Sequence, residues 1–328
     1  MEEVVYHLNL DYENFLSGST KKIKGSSWFD HIFFFVNQSE NSILKTSYNF
    51  PKEYLSYIKK FNVASNRITQ KGKSNPWWGS CLDLDRERFF NSKIEMTNLG
   101  NNEGWIPVPS VTSRSEVLAR LSFPIISRAE WGFSGRGVSI AREEDELKKV
   151  TTPSVYSNFV EKIKDYGVTF NINENSFFII ENFIDQYGQF KGGTLRSIDE
   201  SMGDEEFKKL MEIRNKLISL GAVNSIQIDT FTYKGGYHPF VEVNYRKTMG
   251  LMINTLGHYF TEKYISWGIL KVDTKKTFSE MIECLSKYKE KVVLLSPVDK
   301  FISVALLSEV EIEEREVLKD LEKFIRNF

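Results

Sequence analysis

Two segments carry residues whose types and spacing could perform chemistry together. Ser225 to Tyr233 alternates, with Ile226, Ile228 and Thr230 on one side and Gln227, Asp229 and Phe231 on the other. His238 to Arg246 alternates as well, with Phe240 aside, so that Glu242, Asn244 and Arg246 project together. Lys234-Gly235-Gly236-Tyr237 lies between them. A Gly-Gly pair between alternating runs predicts a two-residue hairpin turn, in which both central residues need φ > 0. With Gly235 and Gly236 as the turn, Asp229 opposes Glu242 and Gln227 opposes Asn244. Two carboxylates facing each other repel by roughly 0.2–1 kcal/mol. A divalent cation with oxygen ligands offsets that cost, and Asn244 adds a third oxygen. The alternative is a polar face with both carboxylates in water.

The second segment is Trp131-Gly132-Phe133-Ser134-Gly135-Arg136-Gly137, which joins Phe123-Pro124-Ile125-Ile126-Ser127-Arg128 to Val138-Ser139-Ile140. It lacks the GxGxxG spacing of a dinucleotide fold, and Gln70-Lys71-Gly72-Lys73-Ser74 lacks the first glycine of a P-loop. What remains is a glycine-rich β-loop-β flanked by Arg128 and containing Arg136. Such a loop can lay backbone N–H groups over phosphates and close as a lid; an ordinary mobile loop is the alternative.

Other elements must position these segments. Pro51 opens a helix with Tyr54, Tyr57, Ile58 and Phe61 at helical spacing, and His31 to Val36 is expected as a buried strand. Asp85 is expected to cap a helix through Phe89, Phe90, Lys93 and Met96. Ser113, with Glu116 at the capping-box position, starts a short helix. Helices are expected from Arg142 to Lys149 and near Ser154 to Tyr166, and a strand at Phe177 to Glu181. Residues 204 to 220 form the clearest helix, with Gly221 just past its end. Strands at Val292 to Leu295 and Ile302 to Leu306 precede a C-terminal helix. Strands and helices in this mixture predict an α+β (mixed α/β) chain. Its expected units are an N-terminal α/β domain at 1–104, a small lobe with the glycine loop at 105–182, and a lobe with the carboxylate hairpin at 183–328.

The 328 residues are 41% hydrophobic and 27% charged, ordinary for a globular protein. The 43 basic and 44 acidic residues nearly cancel, which gives no support to a nucleic-acid partner. Met1 to Leu10 does not read as a signal peptide, and no apolar run is long enough to span a bilayer. A cytoplasmic protein with no membrane partner is therefore expected, and a homodimer is left open. Cys81 and Cys284 lack a zinc-site pattern and are expected as free thiols. Trp77-Trp78 reads as a packed loop, with a substrate-contacting loop as the alternative.

The order of the pieces resembles the ATP-grasp superfamily over about residues 90 to 255. The pieces are Phe-Pro-Ile-Ile-Ser-Arg, the glycine loop, Ile-Ile-Glu-Asn-Phe-Ile, Ile-Asp-Thr-Phe and Val-Glu-Val-Asn-Tyr-Arg. The resemblance implies ATP clamped between two α+β lobes, with Gly132, Ser134, Gly135, Arg136 and Gly137 in the lid. Arg128 and Lys93 would contact phosphates, Arg128 standing where lysine is more usual. Glu181, followed by Asn182, Phe183 and Ile184, would form the hinge beside the adenine. Asp229, Glu242 and Asn244 would hold Mg²⁺ (or Mn²⁺), and Arg246, with Arg128, would stabilise the reacting group. The implied activity is an ADP-forming ligase that activates a small-molecule or peptide carboxylate as an acyl phosphate and joins it to an amine. A phosphotransferase acting on a hydroxyl and a nucleotide-binding protein without turnover are the alternatives. Arg196 could face an acyl substrate or be an exposed strand arginine. His238 and His258 are expected as solvated or satisfied histidines.

Overall fold

The computed structural model describes residues 3–23, 25–37, 39, 41–61, 63, 67–132, 135–185, 188–272 and 275–328. Three sheets organise them. The first is parallel, in the order Arg67–Thr69, Ser42–Lys45, Val4–His7, Asn75–Pro76. Parallel pairing requires crossovers, and the helices Tyr12–Leu16, Ile32–Val36 and Lys52–Ile58 lie in them. The second sheet is antiparallel, in the order Ser110–Val111, Ser154–Asn158, Ile125–Ala129, Val138–Ala141. The third is an eight-stranded antiparallel sheet. Its order is Gly236–Asn244, Ser225–Tyr233, Lys162–Asn171, Ser176–Ile184, Phe190–Arg196, Tyr264–Lys271, Phe301–Ser308, Lys291–Leu294.

The large sheet buries both faces. Leu210, Ile213 and Leu217 of the helix Asp204–Ser219 pack on Ile226, Ile228, Val168, Phe170 and Ile179. On the other face Met252, Ile253 and Leu256 of the helix Met249–Leu256 meet Phe178 and Ile180, in a core continuous with Phe33, Phe34 and Phe35 of the N-terminal unit. Tyr54 Oη donates to the Leu295 carbonyl at 2.9 Å and Tyr259 Oη to the Phe35 carbonyl at 2.8 Å, which ties that unit to the sheet. Trp77 and Trp78 belong to this core as a packed loop, 8% and 6% exposed.

Several elements differ from expectation. Residues 31–36 are helical, with Ile32, Phe33, Phe34 and Phe35 all at most 2% exposed. An all-apolar segment buried on every side has no periodicity to distinguish strand from helix. The helix expected near 154–166 is instead two strands, Ser154–Asn158 and the start of Lys162–Asn171. Asp83, not Asp85, caps Leu84–Asn91 by accepting from Arg86 N at 3.1 Å. Ser92 then interrupts the helix and caps a new one, Lys93–Asn102. The expected boundary at 182/183 cuts the strand Ser176–Ile184, because that apolar run belongs to the large sheet.

Asp30 is 5% exposed in the N-terminal unit, and burial pushes its pKa up to about 7, partly opposed by a hydrogen bond with Thr46. Between its ordinary value near 4 and about 7 the folded protein keeps a proton that the unfolded chain has released. Stability from this group is therefore present at low pH and lost as pH rises through about 7. Asp30→Asn should gain roughly 2 kcal/mol relative to the wild type between pH 5 and pH 8. Urea unfolding at both pH values checks this; an unchanged difference would exclude it.

Candidate functional site

The hairpin sets Asp229 directly against Glu242, Ile228 against Val243 and Gln227 against Asn244. It reaches that register by an unexpected route. Near the turn Tyr233 opposes Gly236, so the turn residues are Lys234 and Gly235. Only Gly236 has a positive φ, +134°, and Gly235 does not. Beyond Phe231↔His238 the register shifts, with Pro239, Phe240 and Val241 lying against Thr230 alone. Pro239 lacks the N–H that a regular ladder would use, which suits it to a bulge.

Glu242 is the electrostatic centre. Lys93 Nζ, at the start of its helix, is 3.3 Å from Glu242 Oε2, and Arg128 Nη1 is 4.0 Å from the same oxygen. Arg128 Nη1 also donates to the Val241 carbonyl at 3.2 Å. Burial by itself would raise the Glu242 pKa, but Lys93, Arg128 and Arg246 outweigh it and hold the carboxyl below its ordinary value. Asp229 goes the other way, pushed up by burial, then by Glu242 and Asp165. Gln227 Nε2 donates to Asp229 Oδ1 at 2.6 Å and Asn244 Nδ2 to Oδ2 at 3.1 Å. Gln227 is itself fixed, its Oε1 accepting from Thr169 Oγ1 (3.2 Å) and Thr248 Oγ1 (2.5 Å). A half-buried carboxylate that burial and a like charge make hard to ionise fits a cation site. Two carboxylates and an amide oxygen make a hard-cation donor set. Among the described residues no group of three or more His, Cys, Asp or Glu side chains gathers as a metal cluster.

The glycine loop reaches the same centre. Lys93 Nζ donates to the Gly132 carbonyl at 2.6 Å, and Ser92 Oγ donates to Glu130 Oε1 at 2.6 Å. Gly135 (φ +74°) approaches the Gly188 carbonyl so closely that a Cβ would lie 2.7 Å from it. Gly137 also has a positive φ, +79°, and Arg136 is exposed. Ser134 lies outside the described residues.

Glu181, Asn182, Phe183 and Ile184 are not brought to this centre as a hinge. Glu181 pairs with Tyr166 and Tyr166 with Thr230, which puts Glu181 on the opposite sheet face from Asp229. Its carboxylate meets Arg196 Nε at 3.0 Å and Lys164 Nζ at 3.4 Å, and Arg196 Nη2 meets Glu314 Oε2 at 3.0 Å. Arg196 is therefore neither exposed nor facing a substrate; its side chain is 7% exposed between two glutamates. Asn182 Nδ2 donates to Asp165 Oδ1 at 2.9 Å, Phe183 is 5% exposed in the C-terminal core, and the Ile184 carbonyl accepts from Arg315.

A cavity beside Arg128 is lined by a different segment. Ser157, Asn158, Phe159 and Val160, at and just past the end of Ser154–Asn158, face Ile126 of the neighbouring strand Ile125–Ala129 and Phe231 and His238 of the hairpin. His238 stacks on Phe231 at 4.7 Å, and burial, then Arg128 and Lys162, lowers its pKa to about 3, so it is neutral. The available sequence signal was Thr151-Thr152-Pro153, which ends the preceding helix and favours extended chain. Alternation gave none, because Ser154, Val155, Tyr156 and Ser157 are all buried.

This architecture is the ATP-grasp fold. Among solved structures, the ADP complex of N5-carboxyaminoimidazole ribonucleotide synthetase matches 98% of this chain and 89% of its own, with 15% identity and TM-score 0.54. The Aspergillus clavatus N5-carboxyaminoimidazole synthase, in complex with ADP and 5-aminoimidazole ribonucleotide, matches 100% and 99%, with 9% identity and TM-score 0.56. The L-amino acid ligase of Bacillus licheniformis matches 98% and 97%, with 11% identity and TM-score 0.56. No protein-family model matches the sequence, and no curated protein matches it. Among the described residues no helix is long and apolar enough to cross a membrane.

The Glu181–Arg196–Glu314 triad yields a stability prediction. Arg196→Met leaves the buried Glu314 and the half-buried Glu181 without their shared cation, and should cost about 3 kcal/mol. Urea denaturation measures it, and a loss below about 1 kcal/mol would show the triad to be solvent-screened.

Proposed function

We propose that this protein is an ATP- and Mg²⁺-dependent ligase that activates a carboxylate as an acyl phosphate and joins it to an amine, releasing ADP and phosphate. The observation that carries the reading is the convergence of Lys93 and Arg128 on Glu242, opposite Asp229, with Lys93 also holding the Gly132 carbonyl of the glycine loop and Arg246 adding its charge. The fold, shared with the ADP-bound synthetase and the amino acid ligase described above, supports it.

On this reading Asp229, Glu242 and Asn244 hold Mg²⁺, which supplies charge neutralisation to phosphate oxygens when bound. Lys93 and Arg128 bind and orient the triphosphate, and their positive charge stabilises the charge that develops as the γ-phosphoryl group moves to the carboxylate oxygen. The lid loop, with Gly132, Gly135, Arg136 and Gly137, excludes water from an acyl phosphate that would otherwise hydrolyse. The base occupies the cavity walled by Ile126, Phe159, Phe231 and His238, with Ser157 to Val160 in the role expected of Glu181 to Ile184.

Asp229→Asn and Glu242→Gln should each reduce MgATP-dependent turnover at least about 100-fold while the circular dichroism spectrum is retained. Near-wild-type turnover in both variants would end the reading. Coupled assays should detect ADP and phosphate only with acid and amine both present; AMP and pyrophosphate would place the chemistry in another class. Phe159→Ala should raise the Kd for ATP about tenfold, through loss of an aromatic face of about 1.4 kcal/mol. An unchanged Kd would move the base elsewhere.

A further inference from the structure

Beyond the nucleotide, one buried ion pair bears on the substrate. Glu13, in the short N-terminal helix Tyr12–Leu16, accepts from Arg246 Nε through Oε1. The two side chains are 6% and 9% exposed. Glu13 Oε2 is buried and, among the described residues, has no hydrogen-bond partner. An ionised carboxylate accepts several hydrogen bonds, so this oxygen is an acceptor without a donor.

Arg246 connects that acceptor to the proposed phosphate site. It follows Glu242 and Asn244 at two-residue spacing, and its charge helps hold Glu242 ionised. Its guanidinium lies 5.9 Å from the Trp78 ring centroid, and Nη1 donates to the Lys247 carbonyl at 3.1 Å. The Trp78 carbonyl accepts from Lys247 N at 3.0 Å, and Trp78 N donates to Asn9 Oδ1 at 2.8 Å, so the ring is fixed by backbone on both sides.

The geometry points to Glu13 and Arg246 as the recognition pair for a zwitterion, an α-amino acid whose carboxylate is taken by Arg246 and whose ammonium is taken by Glu13. This rests on the ligase reading and names its acyl substrate. Without ligand, two opposite charges buried side by side satisfy each other. A simple carboxylic acid that took Arg246 would strand Glu13 in a buried place, and a simple amine that took Glu13 would strand Arg246. A zwitterion replaces one internal ion pair by two and leaves the local net charge unchanged. It also supplies the donor that Oε2 lacks, and its carboxylate is next to the γ-phosphate site.

The test is calorimetric titration of the full chain with a panel of L-amino acids in the presence of Mg²⁺ and a non-hydrolysable ATP analogue. The deaminated acids and decarboxylated amines serve as controls. At least one amino acid should bind, with its deaminated analogue at least tenfold weaker. Glu13→Gln should weaken the amino acid at least tenfold, tighten the deaminated acid, whose binding no longer strands a buried charge, and leave the affinity for the ATP analogue unchanged. Should Glu13→Gln not fold, Glu13→Asp, which keeps the charge and shortens its reach, is read by its weakening of the amino acid. Equal binding of acids with and without the ammonium, an unchanged affinity in the variant, or no binding from the panel would overturn the inference. Because binding is measured without turnover, Glu13-dependent binding with no ADP release in assays would refute the ligase reading alone.

Discussion

Two carboxylates facing each other across a half-buried hairpin cannot both be charged without compensation, and the site is organised around that constraint. Lys93 and Arg128, from separate elements, both approach Glu242, while Asp229 receives the amide donors Gln227 and Asn244. The result is asymmetric: one carboxyl is held ionised by cations and the other is pushed toward its neutral form by burial and its neighbour. A cation drawn to this pair would relieve Asp229 without displacing the charges that hold Glu242. The supporting features serve the same arrangement. Ser92 breaks a helix so that Lys93 begins a new one, and Pro239 sits where the ladder must slip.

That slip shows how far sequence can be taken. The pairing of Asp229 with Glu242 was legible from alternation, but the turn was misplaced by one residue, and the bulge restores the register that a regular hairpin would have had from the misplaced turn. Alternation at each end specifies which face a residue occupies; it is blind to insertions of two between them, because two residues preserve the face. The helix Asp204–Ser219 was legible for the complementary reason, having one buried stripe and one exposed face. Residues 31–35 and 154–157 were illegible because burial on all sides erases the pattern.

The misplaced hinge has a different cause. Phe177 to Glu181 is an apolar run ending on a carboxylate, and nothing local reports which sheet it joins. Strand pairing decides: Ser154–Asn158 adds to the four-stranded antiparallel sheet beside Arg128, whereas Ser176–Ile184 lies in the interior of the large sheet. Glu181 is then a half-buried acid that requires a cation, and Arg196 supplies it from the adjacent strand. The same residue type answers a structural need at one sheet position and would answer a binding need at another.

The cations of the site share a further property. Lys93 holds the Gly132 carbonyl, Arg128 the Val241 carbonyl, and Arg246 holds Glu13. Each is satisfied by an internal acceptor, so none bears the full cost of a buried, unpaired charge in the unliganded protein. On the proposed reading, ligands bind by exchange: phosphate oxygens replace two neutral carbonyls, and a substrate carboxylate replaces Glu13. Exchange of a carbonyl for an anion adds the attraction of opposite charges to a hydrogen bond that the cation already assists. Release of the Gly132 carbonyl by Lys93 would also untie the lid loop from the helix that carries the lysine.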